Sequence, residues 1–322
     1  MLRWSGTASV VLILLLGGCT HTSLLTRASV PSLQTYPRLL AVYEPWFGHP
    51  RHISVGYSSQ DPIEIRKQID HAKELGISGF VVDWYGDREP FLDRSYELIQ
   101  SIAAERQFKV AMMYDESDGE ASVATDDALA AFEKFKETYL APDAAGRQAY
   151  LTYNDRPMIF IFPKGGHTDW NQVRAATNNW NPAPLLIYEY RATAYVDSMD
   201  GFYAWINPGE KGWAADGSSW GEDYLRGFYQ RMGSKYPNKI AIGAAWAGFD
   251  DSKASWSLNR HMSRRCGKTF SGTLALAQES SSLERPLAFV LIETWNDYEE
   301  GTAIERGIDD CKAAPDAGNA SH

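Results

Sequence analysis

Two carboxylates, Asp297 and Glu300, stand three residues apart just after an apolar run over 287–295. A glycosidic bond breaks when one carboxyl group protonates the leaving oxygen while a second manages the developing cation or the nucleophile. A spacing of three in a turn that leaves a strand can bring both carboxyls to one cavity. Comparable residues recur wherever an apolar run ends. Glu44 and Trp46 follow the first run, and Asp83 and Trp84 end the second. Tyr114, Glu189, Trp205 and Trp246 close later runs, and Trp295 and Asn296 precede the carboxylate pair. Carboxylates and amides take hydroxyl donors, and flat rings stack on C–H faces, so these ten residues are candidates for binding a carbohydrate. Glu116 and Glu299 read instead as structural or solvated charges. Trp170, Trp180 and Trp256 lie away from run ends and read as packing residues.

Composition leaves an enzyme or binding protein for a neutral or cationic ligand. The chain has 322 residues with 11 Trp, 17 Tyr and 13 Phe, more rings than charge recognition needs. Against 31 Lys and Arg stand 41 Asp and Glu, a formal net charge of −10. Without a basic excess there is little to neutralise phosphates, so a nucleic-acid or anionic-membrane binder is disfavoured. The 3 cysteines exclude a disulfide scaffold and a cysteine-rich zinc module. Among 7 histidines there is no H-E-x-x-H, and the close pair in H-P-R-H, His49 and His52, reads as loop. No metal and no organic cofactor is implied. The segment 217–221 matches G-x-S-x-G, but the residues before it, K-G-W-A-A-D, form no strand of the kind a nucleophile elbow requires, which disfavours serine hydrolysis.

The candidate residues need a frame that gathers strand ends. From residue 37 onward, short apolar segments alternate with amphipathic ones. Strands are expected at 39–47, 79–85, 109–114, 157–162, 185–190, 201–206, 239–246 and 287–295. Helices are expected at 62–75, with Asp61 as N-cap, and at 91–106, 126–139, 169–177, 220–234 and 270–281. Eight strands separated by helices over about 250 residues have the size of a single (β/α)8 barrel, whose active site lies at the C-terminal ends of its strands. A doubly wound sheet is the competitor; its glycine-rich turn is replaced here by E-P-W-F-G. The links after the fifth and eighth strands are short or polar, so one or two outer helices are expected to be missing.

Arg3, an apolar stretch over 8–16 and L-G-G-C at 16–19 describe a secretory signal, too short to span a bilayer. The organisation expected is a signal segment 1–18, a Ser/Thr-rich tether 19–36, the catalytic barrel 37–308 and a polar tail 309–322. Export would let Cys266 and Cys311 form a disulfide, and two free thiols are the alternative.

The segment T-W-N-D-Y-E-E-G-T-A-I-E, 294–305, resembles the W-N-E-W-H-E-G-T-x-I-E signature of glycoside hydrolase family 99, and is also similar to the T-W-N-D-Y-x-E segment of family 71. V-Y-E-P-W-F-G, G-I-S-G-F-V-V-D-W-Y and N-D-R-P-M-I-F-I-F agree more weakly. L-G-G-C resembles the lipobox of bacterial lipoproteins, which implies acylation of Cys19 and an exported protein held at the outer membrane or cell surface by that lipid alone. Family 99 resemblance implies a (β/α)8 retaining, endo-acting α-mannosidase or mannanase; family 71 members are α-1,3-glucanases. It further implies that Asp297 deprotonates the sugar 2-hydroxyl, which attacks the anomeric carbon, while Glu300 protonates the leaving oxygen. This chain departs from family 99 in carrying Asp at 297 and Glu at 299. The expectation is therefore a glycoside hydrolase acting internally on an α-mannan-like or α-glucan-like polysaccharide. The alternative is a glycan-binding lipoprotein on the same barrel without turnover.

Overall fold

The computed structural model describes residues 37–309 and 311, apart from 117–119, 192, 207–217, 283 and the side chain of Asp87. The expected signal segment 1–18, the tether 19–36 with Cys19, Gly217 of the G-x-S-x-G match and most of the tail lie outside the described residues.

Eight parallel strands close into a barrel: β1 Arg38–Tyr43, β2 Ile77–Trp84, β3 Lys109–Asp115, β4 Arg156–Phe162, β5 Leu185–Glu189, β6 Gly201–Tyr203, β7 Ile240–Trp246 and β8 Phe289–Glu293. Each pairs with its sequence neighbours, and β1 pairs with β8 to shut the ring, with Leu39 opposite Val290. This is the (β/α)8 architecture expected from the alternation of elements. The strands read as nearly unbroken apolar runs because both faces are covered. Leu40, Val42, Val81, Met113, Phe160, Ile187 and Leu291 fill the interior. Their neighbours Ala41, Phe80, Val82, Met112, Ile159, Leu186 and Val290 belong to the larger cluster beneath the helices. Where strands crowd, only glycine fits: a Cβ on Gly201 would stand 2.4 Å from the Ile240 carbonyl oxygen.

Among the described residues six helices cover the outside: α1 Pro62–Glu74, α2 Pro90–Glu105, α3 Ala124–Tyr139, α4 Trp170–Thr177, α5 Glu222–Ser234 and α6 Lys268–Ser280. The start of α1 follows from its sequence. Asp61 accepts a hydrogen bond from the Ile63 amide at 2.8 Å, Pro62 occupies the first turn, and Ile65, Ile69 and Ala72 form the buried stripe. Among the described residues, the link between β5 and β6 holds a short 3-10 turn, Val196–Ser198, in place of a helix, and no helix follows β8. Strand one ends at Tyr43 rather than at residue 47, because Glu44–Phe47 turn away over the barrel mouth.

Cys266 and Cys311 are joined in a disulfide, which selects the bridged alternative. Among the described residues no helix is long and apolar enough to cross a membrane.

Candidate active site

The segment 294–305 folds into a turn stitched by its own side chains. The Asp297 amide donates to Thr294 Oγ1 at 2.7 Å, and the Glu299 and Glu300 amides both donate to Asp297 Oδ1 at 2.9 Å. Asn296 clamps the turn to the end of β1. Its Oδ1 accepts from the Glu44 amide at 2.8 Å, and its Nδ2 donates to the Glu44 carbonyl at 2.9 Å. Glu305 accepts from Gln68 at 2.7 Å and Tyr57 at 3.1 Å, with Tyr298 bonded to the same carboxylate. Much of the motif thus holds the turn, and the turn presents Asp297 and Glu300.

Both carboxylates line a cavity of about 580 Å³ at the C-terminal mouth of the barrel. Glu44, Trp46, Asp83 and Trp205 from the expected set line it too. Strand parity explains the membership. Side chains alternate between the two faces of a strand, so Val81 and Asp83 share the inward face of β2, and Met113 and Asp115 share that of β3. Glu44 Oε2 and Asp83 Oδ1 are buried acceptors without a hydrogen-bond partner. Both residues line the cavity, so hydroxyl groups of a ligand could supply the missing hydrogen bonds.

Burial dominates the electrostatics. Removing Glu44, Asp83, Asp297 and Glu300 from water pushes each pKa above the ordinary carboxylate value. For Asp297 the neighbouring charge of Glu300 adds to that rise, and the two backbone amides oppose it. For Asp83 the Asp115 charge adds and Lys164 opposes. Lys164 Nζ lies 3.0 Å from Asp115 Oδ2 and sits over the Tyr85 ring at 4.7 Å.

Six expected contacts are not among the residues that line the cavity. Trp84 and Tyr114 have the outward parity of their strands. The Trp84 indole donates to Asp93 at 3.1 Å, and the Tyr114 ring packs on Phe132 at 5.4 Å. The Trp246 indole donates to the Trp220 carbonyl at 3.0 Å, and the Trp295 ring packs between His71 and Phe80. Asn296 is consumed by its clamp on Glu44. Glu189, also outside the lining set, sits buried in an ion pair with Arg191. Glu299 and Glu116 are structural. Glu299 accepts from the Ile53 amide and meets His52 Nδ1 at 2.7 Å, and Glu116 accepts from the Gly166 and Thr168 amides at 2.8 Å.

The sequence-based set lacks Tyr85, Asp115, Lys164 and Trp256, all of which line the cavity. The same parity count, carried past the strand ends, reaches the first three: 83 to 85, 113 to 115, and 162 to 164. Trp256 is a correction of a different kind. Read as packing, it is 43% exposed at the cavity, and its indole nitrogen donates to Glu300 Oε1 at 3.0 Å. Ser219 of the G-x-S-x-G match is not among the lining residues. The second glycine of that match, Gly221, begins α5 with φ of +82°, and a Cβ there would stand 2.7 Å from the Trp246 ring, so packing accounts for it.

No protein-family profile matches the sequence. A human glycoprotein endo-α-1,2-mannosidase-like protein is 23% identical over 340 aligned positions, spanning 87% of this chain and 71% of the relative. The family 99 endo-α-mannosidase of Bacteroides thetaiotaomicron, solved with Bis-Tris propane, superposes with a TM-score of 0.64 at 21% identity, covering 84% of this chain and 88% of that one. A glycoside hydrolase-like protein superposes with a TM-score of 0.59 at 14% identity, covering 84% and 87%. In fold, and more faintly in sequence, the chain resembles the endo-α-mannosidases of glycoside hydrolase family 99 and their mannosidase-like relatives.

Proposed function

We propose that the protein is a glycoside hydrolase that cleaves an α-mannan-type polysaccharide internally, with Glu300 as general acid and Asp297 as general base. The observation that carries this reading is the stitched turn, which delivers buried Asp297 and half-buried Glu300 to one cavity beside Glu44 and Asp83. Two carboxyls whose charges repel resist ionising together, so such a pair tends to hold one proton, as acid–base chemistry requires. Hydrogen bonding supports the division of roles. Asp297 Oδ1 accepts two backbone N–H groups, which favour its anion, whereas Glu300 has one indole donor.

In the proposed reaction Asp297 removes the proton from the sugar 2-hydroxyl, and that oxygen bonds to the anomeric carbon. The bond to the leaving oxygen breaks as Glu300 protonates it, giving a 1,2-anhydro sugar. Water then opens the three-membered ring: Glu300 takes the proton of the attacking water and Asp297 returns its own to the 2-oxygen. Configuration is retained. The same proposal puts the enzyme outside the cytoplasm, held by a lipid on Cys19; the apolar run ending L-G-G-C supports that placement.

Incubation of the mature protein with α-mannans, α-glucans and bacterial exopolysaccharides tests the substrate. Release of oligosaccharides several sugars long from mannan is expected. Monosaccharides alone would refute internal cleavage, and absence of product from every α-glycan would refute the hydrolase reading.

A further inference from the structure

The connection from β7 to α6, residues 247–267, makes a long excursion that is bound to the catalytic turn. The Asp250 amide donates to the Glu300 carbonyl at 2.8 Å, and Arg264 donates to the Gly301 and Ala303 carbonyls at 2.9 and 2.7 Å. A short antiparallel pairing of Phe249–Asp250 with His261–Met262 closes its base. Inside it, fully buried Asp251 gathers Ser257 Oγ at 3.0 Å, the Leu258 amide at 3.1 Å and the Arg260 amide and Nε at 2.9 and 2.7 Å. Trp256 stands within this brace, so its position is fixed relative to Glu300.

We infer that Trp256 is a positioning residue for the acid: its indole N–H holds Glu300 Oε1 as an acceptor and so biases the catalytic proton to Oε2. An indole nitrogen only donates, and the hydroxyl oxygen of a protonated carboxyl is a weaker acceptor than its carbonyl oxygen, so the donor favours the carboxyl form with the proton on Oε2. Trp256 and Glu300 line the same cavity, and the tryptophan is exposed enough to offer a ring to a sugar bound beside the acid. The inference rests on the hydrolase reading for its catalytic meaning, but the contact itself does not.

Three substitutions test it. Trp256→Phe keeps a ring face and removes the donor. Turnover of polysaccharide should fall roughly 10–100-fold, the range for a hydrogen bond to a charged partner, with the loss in kcat rather than KM. Losing a donor that favours the carboxylate raises the affinity of Glu300 for its proton, so the alkaline limb of kcat/KM should move to higher pH. Asp297 and Glu44 face Glu300 from the turn and β1, Asp251 and Arg260 from the excursion and Lys164 from beyond β4, and all remain in the variant. A merely structural tryptophan would lower kcat without moving that limb. Trp256→Leu removes the face too and should add a rise in KM. Independently of turnover, the indole N–H resonance missing from the Trp256→Phe spectrum should titrate with pH in wild type and stop titrating in Glu300→Gln. An unmoved alkaline limb, or an indole that titrates unchanged in Glu300→Gln, overturns the inference. If wild type cleaves no α-glycan, the hydrolase reading falls, and the indole titration alone decides the contact.

Discussion

Under the proposed assignment, with Glu300 as the acid and Asp297 as the base, Glu300→Gln removes the proton donor and keeps the shape of the side chain. A general acid usually supplies about 10²–10⁴-fold in rate, and a sugar alkoxide leaves poorly without a proton. Hydrolysis of polysaccharide should therefore fall by about that factor, while a glycosyl fluoride, whose leaving group needs no proton, should lose far less. Asp297→Asn removes the base that activates the nucleophile, so activity should fall on both substrates. Rate ratios for the two variants on polymer and fluoride measure this, and equal losses on both substrates in Glu300→Gln would refute the assignment. At this scale the sequence was readable where chemistry and parity agree. Glu44 and Asp83 keep the inward register of the first two strands, Asp297 and Glu300 are presented by the turn after β8, and all four reach the cavity. Proximity to a strand end alone was not enough, because the next residue along faces the helices. That is why Trp84 and Tyr114 lie in the outer layer while Asp83 and Asp115 do not.

The strand ends hold more buried acid than a fold would keep for its own stability. Folded-state pKa values of Glu44 and Asp83 lie above the ordinary 4.5 and 3.8 because burial disfavours their charge. The folded chain then binds those protons more tightly than the unfolded chain, so stability falls as pH rises from those ordinary values through the raised ones. Glu44→Gln and Asp83→Asn should accordingly raise stability at neutral pH, by about 0.5–2 kcal/mol each, and give little gain near pH 4. Thermal melts at the two pH values measure this; destabilisation of both variants at neutral pH would show that the carboxylates brace the barrel mouth. The elements that carry these residues were legible from hydrophobic period and capping, α1 from Asp61 and Pro62 above all. The excursion over 247–267 was not. It owes its shape to Asp251 and to contacts with a turn some forty residues later in the chain, and no local pattern of apolar residues announces such a structure.

Across the whole molecule, the disulfide between Cys266 and Cys311 spans 45 residues that include α6 and β8. Closing a loop of that size restricts the unfolded chain, and Cys311→Ser should cost roughly 2–4 kcal/mol of stability. Denaturant titration of oxidised wild type against the variant measures it, and coincident curves would show that the bridge adds nothing. The barrel itself was legible because eight alternating units of this size have few other solutions; the pairing of two cysteines was not, since spacing in sequence says nothing of distance in space. The clamp between Asn296 and Glu44 joins residues 252 apart, at the seam where the first strand meets the last. Contacts so distant in sequence form late, because a long loop must close before they are made. The turn after β8 is the last part of the cavity wall that the ribosome makes. A chain that ends before it has neither Asp297 nor Glu300 and no Asn296 to hold the end of β1, so a barrel cut short at its carboxyl end should be silent rather than slow.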